Sequence, residues 1–124
     1  MTWTDEELDA IGDADELRIA SLREDGSLRP LVTLWAVRTG DDVLVRSAHG
    51  RANGWFRHAI QRHEGRIEAG GVAKDVRFEK VPADDHAAGD AAYHAKYDHY
   101  PKEYVDPVVS PDSWAATLRV VPKG

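Results

Sequence analysis

The chain has 124 residues, 42% of them hydrophobic and 31% charged, with a formal net charge of −6 and no cysteine. That size and composition fit one soluble globular domain over residues 1–124, and the missing thiols exclude a disulfide framework, a cysteine nucleophile, cysteine-ligated zinc and iron–sulfur clusters. No apolar run approaches the ~18 residues of a membrane-spanning helix, and the opening Met1-Thr-Trp-Thr-Asp-Glu-Glu lacks the basic start and apolar stretch of a secretory signal, so a cytoplasmic protein is expected.

Trp3-Thr4-Asp5-Glu6-Glu7-Leu8 reads as a helix start. Thr4 is the N-cap, Glu7 closes a capping box, and Trp3 and Leu8 form a staple. Gly12 is expected to end this helix in a left-handed conformation. A first strand follows over residues 17–23, then a type I′ hairpin at Asp25-Gly26 and a second strand over 28–38. Pro30 belongs at the start or edge of that strand. Leu31, Thr33, Trp35 and Val37 alternate with Val32, Leu34 and Ala36, so both faces are largely apolar. Such a strand needs two covers, as in a closed barrel with a helix or a second subunit outside.

Residues 43–48 form a third strand, and His49 to Gly54 is a glycine-rich connection. Asn53 is placed to cap a helix that turns Trp55, Phe56, Ala59 and Ile60 inward and ends at Gly65. Residues 66–69 and 72–81 read as a hairpin through Gly70-Gly71, with Lys74 on the parity of the apolar face. Between residues 84 and 100 the period becomes helical, with Tyr93, Tyr97 and Tyr100 at i, i+4 and i+7. A proline-punctuated loop over 101–111 precedes a last strand over 114–121, which Pro122 stops. The expected architecture is α+β: a six-stranded antiparallel barrel with about three flanking helices.

The charge is uneven. Residues 1–42 sum to −7, residues 43–80 to +4 and residues 81–124 to −3. A basic middle in an acidic chain argues against general nucleic-acid binding and for a small anionic ligand held locally. Within that middle, Val45-Arg46-Ser47-Ala48-His49-Gly50-Arg51 leads into the helix carrying Trp55. Arginine grips phosphate bidentately, while a hydroxyl, glycine-loop amides and a helix N-terminus add donors, so a phosphate fits the set. Lys74, a cation of inward parity, must snorkel, pair with a carboxylate or meet a ligand. The histidine pairs 58/63 and 94/99 are five apart and do not share a helical face, and Asp90, His94 and Asp98 read as a solvated strip rather than a metal site. No nucleophile elbow, Walker loop or His-Glu-x-x-His motif is present.

Val43-Leu-Val-Arg-Ser-Ala-His-Gly-Arg51, Trp55-Phe56, Gly70-Gly71, Ala92-Tyr93-His-Ala-Lys-Tyr97 and Thr117-Leu-Arg-Val-Val-Pro122 resemble a family of small bacterial proteins of unknown function. That family belongs to the FMN-binding split-barrel superfamily, related to pyridoxamine-phosphate oxidases and deazaflavin-dependent nitroreductases. The deazaflavin enzymes carry Ser-Lys-Gly-Gly and then Pro-x-Trp. Here Ser47, Gly50 and Trp55 match, while Ala48 and His49 replace the lysine and first glycine, and the proline is missing.

The resemblance implies a homodimer that binds FMN or a deazaflavin between subunits. Arg46, Ser47, His49, Gly50 and Arg51 would sit at the phosphate end, Trp55 in the pocket, and Lys74 near ring or phosphate. The implied reaction is hydride transfer, in which the protein supplies orientation and electrostatics. Two other readings use the same residues. One is a non-enzymatic binder of a flavin, haem or other anionic small molecule, and the other is a structural dimer whose pocket is filled by Trp35, Trp55 or the tyrosine stripe.

Overall fold

The structure is a computed structural model that describes residues 2–48, 54–82 and 86–123. The first helix, α1 (Asp5–Asp13), starts as its sequence dictates. Thr4 Oγ1 accepts from the Glu7 amide and Glu7 Oε1 accepts from the Thr4 amide, closing the capping box. Trp3 and Leu8 are buried in one core, and the Trp3 indole donates to the Val120 carbonyl at 2.9 Å. Gly12 does not end the helix, which runs on to Asp13 with an extended Ala14 as C-cap. A Cβ at Gly12 would lie 3.5 Å from Arg38 Cβ, so this glycine sits where α1 crosses a strand.

Strand β1 (Leu17–Ser21) is followed by a turn over Arg23–Ser27, but not of type I′. Only Gly26 takes a positive φ there, and the Asp25 carboxylate holds the turn by accepting from the Ser27 amide and hydroxyl. The second expected strand divides at Trp35 into β2 (Val32–Leu34), paired with β1, and β3 (Ala36–Thr39), paired with β4 (Asp42–Arg46). This division gives seven strands where six were expected. The sheet order is β2-β1-β5-β6-β7-β4-β3, every pair antiparallel, so one continuous stretch of chain supplies both edges of the sheet. The bend at Trp35 therefore curls the sheet into a nearly closed, split barrel. The expected α+β class holds.

Helix α2 (Gly54–Arg62) ends two residues early, at His63 with φ +60°, rather than at Gly65. Gly65 lies within β5 (Glu64–Ala69), where a Cβ would meet the Ala20 carbonyl oxygen at 1.9 Å, so the β1–β5 crossing requires it. The hairpin from β5 into β6 (Val72–Lys80) turns on Gly70 and Gly71, both at positive φ, and there the primed-turn conformation does occur. Helix α3 (Ala87–Tyr97) follows. The proline-rich stretch folds into α4 (Lys102–Val105), a 3₁₀ turn (Asp106–Val109) and α5 (Pro111–Trp114), which gives five helices among the described residues. Trp114 is therefore helical, and β7 runs Thr117–Pro122.

Two cores result. Inside the barrel, Ile19, Ala36, Val43, Val45, Phe56, Ile67 and Leu118 pack together. Outside it, Val37 and Leu44 pack beneath Tyr93, Tyr97, Val105 and Val108. Strands β3 and β4 thus have two covers, and α3 with the segment after it is the outer one. The β2 half of the expected buried strand has no such cover, since Val32 and Thr33 are exposed and Leu34 half-buried.

Candidate functional site

Strand β4 ends at Arg46, and the chain leaves the barrel through Ser47 and Ala48. Trp55, in the first turn of α2, faces back toward the bend at Trp35. Between them lies a cleft of about 370 Å³ whose lining includes Thr33, Trp35, Arg46, Ala48, Trp55 and Tyr104. Its volume is in the range of small-molecule sites.

Arg46 is almost fully buried and has acceptors of its own. Its Nη1 donates to Asp90 Oδ1 at 2.5 Å and to the Val108 carbonyl at 2.9 Å, and its Nη2 donates to the His86 carbonyl at 3.1 Å. The guanidinium also lies 5.3 Å from the centre of the Tyr93 ring. Asp90 accepts in turn from the Trp114 indole at 3.1 Å. Arg46 Nε has no partner among the described residues, and neither does Ser47 Oγ, although Ser47 is fully buried and its amide donates to the Ala116 carbonyl. A buried hydroxyl without a partner is a cost that a ligand oxygen can relieve.

Trp35 is held from behind. Its ring stacks on Tyr97 at 4.1 Å and 5°, and its carbonyl accepts from the Tyr93 hydroxyl. The hydroxyl of Tyr97 donates to the Asp15 and Ala36 carbonyls. Burial pushes both hydroxyls well above the ordinary tyrosine range. The tyrosine stripe is therefore core that fixes the wall of the cleft.

Of the residues expected at the site, the structure brings Arg46 and Trp55 to the cleft and buries Ser47 beside it. His49, Gly50 and Arg51 lie outside the described residues, as does Asn53, the expected cap of α2. Lys74 lies apart. It lines neither this cleft nor the cavity on the other side of Trp55, and its Nζ is 2.6 Å from Glu7 Oε2, whose carboxyl it holds below the ordinary range. Sequence reasoning placed Trp35 in the pocket only as a filler in the structural-dimer reading, and missed Tyr104 as a lining residue and Asp90 as the partner of Arg46. Trp35 was detectable only as the centre of an apolar strand, and nothing local links positions 46 and 90. His94 and Asp98 form the exposed pair expected of a solvated strip, at 2.8 Å.

Residues 7–120 match the family described as an uncharacterized protein conserved in bacteria, DUF2255. No curated protein sequence matches the chain. Among solved structures, an F420 reductase superposes with a TM-score of 0.62 at 14% identity, over 94% of this chain and 92% of its own. A FAD-binding protein from Mesorhizobium loti gives 0.60 at 16% identity over 100% and 93%, and HutZ, the haem storage protein of Vibrio cholerae, 0.65 at 12% over 100% and 92%. At these identities the likeness is one of fold, and the fold is the split barrel that the sequence resemblance implied. Among the described residues no helix is long and apolar enough to cross a membrane. With 114 of its residues inside the matched region, the chain belongs to the DUF2255 family of bacterial proteins.

Proposed function

We propose that this protein is a single-domain, cytoplasmic split barrel that binds FMN or a deazaflavin in the Trp35–Trp55 cleft between two copies of itself and reduces a small molecule. The observation that carries the reading is the convergence on one cleft of two aromatic side chains, Trp35 and Trp55, with Arg46 at the end of β4; Ser47 is buried beside it, its hydroxyl without a partner among the described residues. Those residues suit a flat, anionic ligand, because aromatic faces hold a ring and buried donors hold a charged end. The superposed proteins named for F420, FAD and haem support ligand binding in this fold.

The phosphate end is assigned to Ser47, His49, Gly50 and Arg51. Arg46, engaged by Asp90, fixes the strand end from which those residues spring. The bound cofactor would supply hydride chemistry, and the chain's share is to orient the ring against Trp35 and Trp55 and to exclude water. The dimer reading rests on exposure. The exposed large hydrophobics among the described residues are Leu28, Val32 and Tyr104. Val32 belongs to edge strand β2 and Tyr104 to the rim of the cleft, so a second copy laid there would cover apolar surface and an unpaired strand edge together.

The test is a fluorescence titration of the protein with FMN and separately with an oxidised deazaflavin, followed by turnover with small-molecule acceptors. The expected result is saturable binding with a dissociation constant of about 1 μM, weakened by Trp35→Ala and Arg51→Ala, and acceptor reduction above the free-cofactor background. Binding without turnover would leave a binder, and no binding of either compound would remove the flavin reading.

A further inference from the structure

On the other side of Trp55, helix α2 does not close fully onto β1 and the approach to β2. Small side chains stand where the two meet, namely Ala20, Ser21 and Ala59, with Gly54 at the helix start. They leave an apolar cavity of about 280 Å³ walled by Ile19, Val32 and Trp55. Two basic side chains line it, Arg29 from the segment before β2 and His58 from α2. Arg29 Nε and His58 Nδ1 are both buried, and neither has a hydrogen-bond partner among the described residues. The same two side chains line a polar pit on the surface with Glu24, Gln61 and Arg62. They therefore stand between an apolar interior and solvent, and the Arg29 backbone is fixed there by its amide's 3.0 Å bond to the Ser21 carbonyl.

We propose that this cavity is a second binding site, for a small amphipathic carboxylate. The carboxylate accepts from Arg29 and His58 at the mouth, and the apolar tail lies against Ile19, Val32 and Trp55. A buried donor without an acceptor costs free energy that a ligand oxygen recovers, and charge-assisted bonds to arginine are the stronger kind. The volume suits a tail of roughly eight carbons at about 30 Å³ for each water-sized group. With a net charge of −6 the protein repels anions at long range, so saturable anion binding reports the local charge of Arg29. The site does not depend on the cofactor reading, because the two cavities have only Trp55 in common.

Octanoate is the probe, measured by calorimetry on the whole chain beside octan-1-ol and octylammonium as neutral and cationic controls of equal length. The expected result is one octanoate per chain with a dissociation constant below about 1 mM. Binding should weaken by about tenfold or more in Arg29→Met and in His58→Phe. Ala59→Leu, which fills the cavity, should abolish it, and thermal melts identify a variant that fails to fold. Absence of saturable octanoate binding overturns the proposal. So does equal affinity for either control, affinity unchanged in folded Arg29→Met and His58→Phe, or displacement of octanoate by FMN.

Discussion

Arg46 and Asp90 meet at 2.5 Å beneath the first turns of α3, with the arginine side chain only 1% exposed and the carboxylate 23% exposed. Gly89 makes the approach possible, since a Cβ there would lie 2.5 Å from Arg46 Nη2. Strand β4 and helix α3 are joined at this point by charge as well as by packing. Removing one member leaves the other buried and unpaired, so Asp90→Ala is expected to destabilise the fold by about 3 to 5 kcal/mol. Urea unfolding followed by circular dichroism measures the loss. A double variant, Arg46→Met with Asp90→Ala, should lose less than the sum of the two single changes, whereas additivity would contradict the pairing.

Two glycines predict opposite outcomes for the same substitution. A Cβ at Gly65 would overlap the Ala20 carbonyl, which is backbone of the paired strand and cannot swing aside. Gly65→Ala should therefore cost about 3 kcal/mol or more. At Gly12 an added Cβ meets Arg38 Cβ at an ordinary 3.5 Å within a helix, so Gly12→Ala should be neutral or stabilise by up to about 1 kcal/mol. Melting temperatures of the two variants check the contrast.

Glu7 both closes the α1 capping box and meets Lys74. Its pKa is lowered chiefly by the Lys74 hydrogen bond, so the folded carboxylate holds its proton less tightly than the unfolded one. The stabilisation is present above the unfolded value near 4.5 and is lost as pH falls through the folded one. Glu7→Ala should cost about 1 kcal/mol at neutral pH, with the difference from the native chain shrinking in acid below pH 4.5. A difference that stays constant with pH would contradict the assignment.

Lys96 also has a lowered pKa, but because burial disfavours its charged form rather than because a partner favours it. Its Nζ donates to the Ala36 carbonyl at 2.7 Å, and burial brings its pKa from 10.5 down to about 8. Between those values the unfolded chain binds more protons, so this group makes stability rise with pH. Tyr93 and Tyr97, pushed up by burial, reverse the trend above pH 10. Unfolding free energies of the native chain and Lys96→Met should therefore converge or cross as pH rises from about 8 to about 9.5. Parallel curves would contradict the buried ammonium.

How much was legible in the sequence follows the range of the interactions. The α1 capping box needs only residues 3–8, and the Gly70-Gly71 turn only its two glycines, so both follow from local pattern. The break at Trp35 does not, because it answers a demand of the whole sheet that one segment close both edges, and Leu31 to Val37 alternate straight through it. The basic middle of the chain was legible as a charge pattern, yet its destinations were not. Arg46 goes to Asp90, Lys74 to Glu7 and Arg66 to Asp75, partners set by the fold. Trp114, read as the start of the last strand, turns out to be the end of a one-turn helix whose tryptophan serves Asp90.

The indole N–H signals test the central claim most directly. The chain has four tryptophans, at 3, 35, 55 and 114, of which Trp35 and Trp55 line the proposed cofactor cleft and Trp3 is buried against Val120. In a titration with FMN followed by proton–nitrogen correlation spectra, the Trp35 and Trp55 indoles should shift together and saturably while Trp3 stays still. Octanoate should move Trp55 and leave Trp35 in place. If FMN at saturating concentration leaves the Trp35 indole unmoved, the Trp35–Trp55 cleft is not the cofactor site.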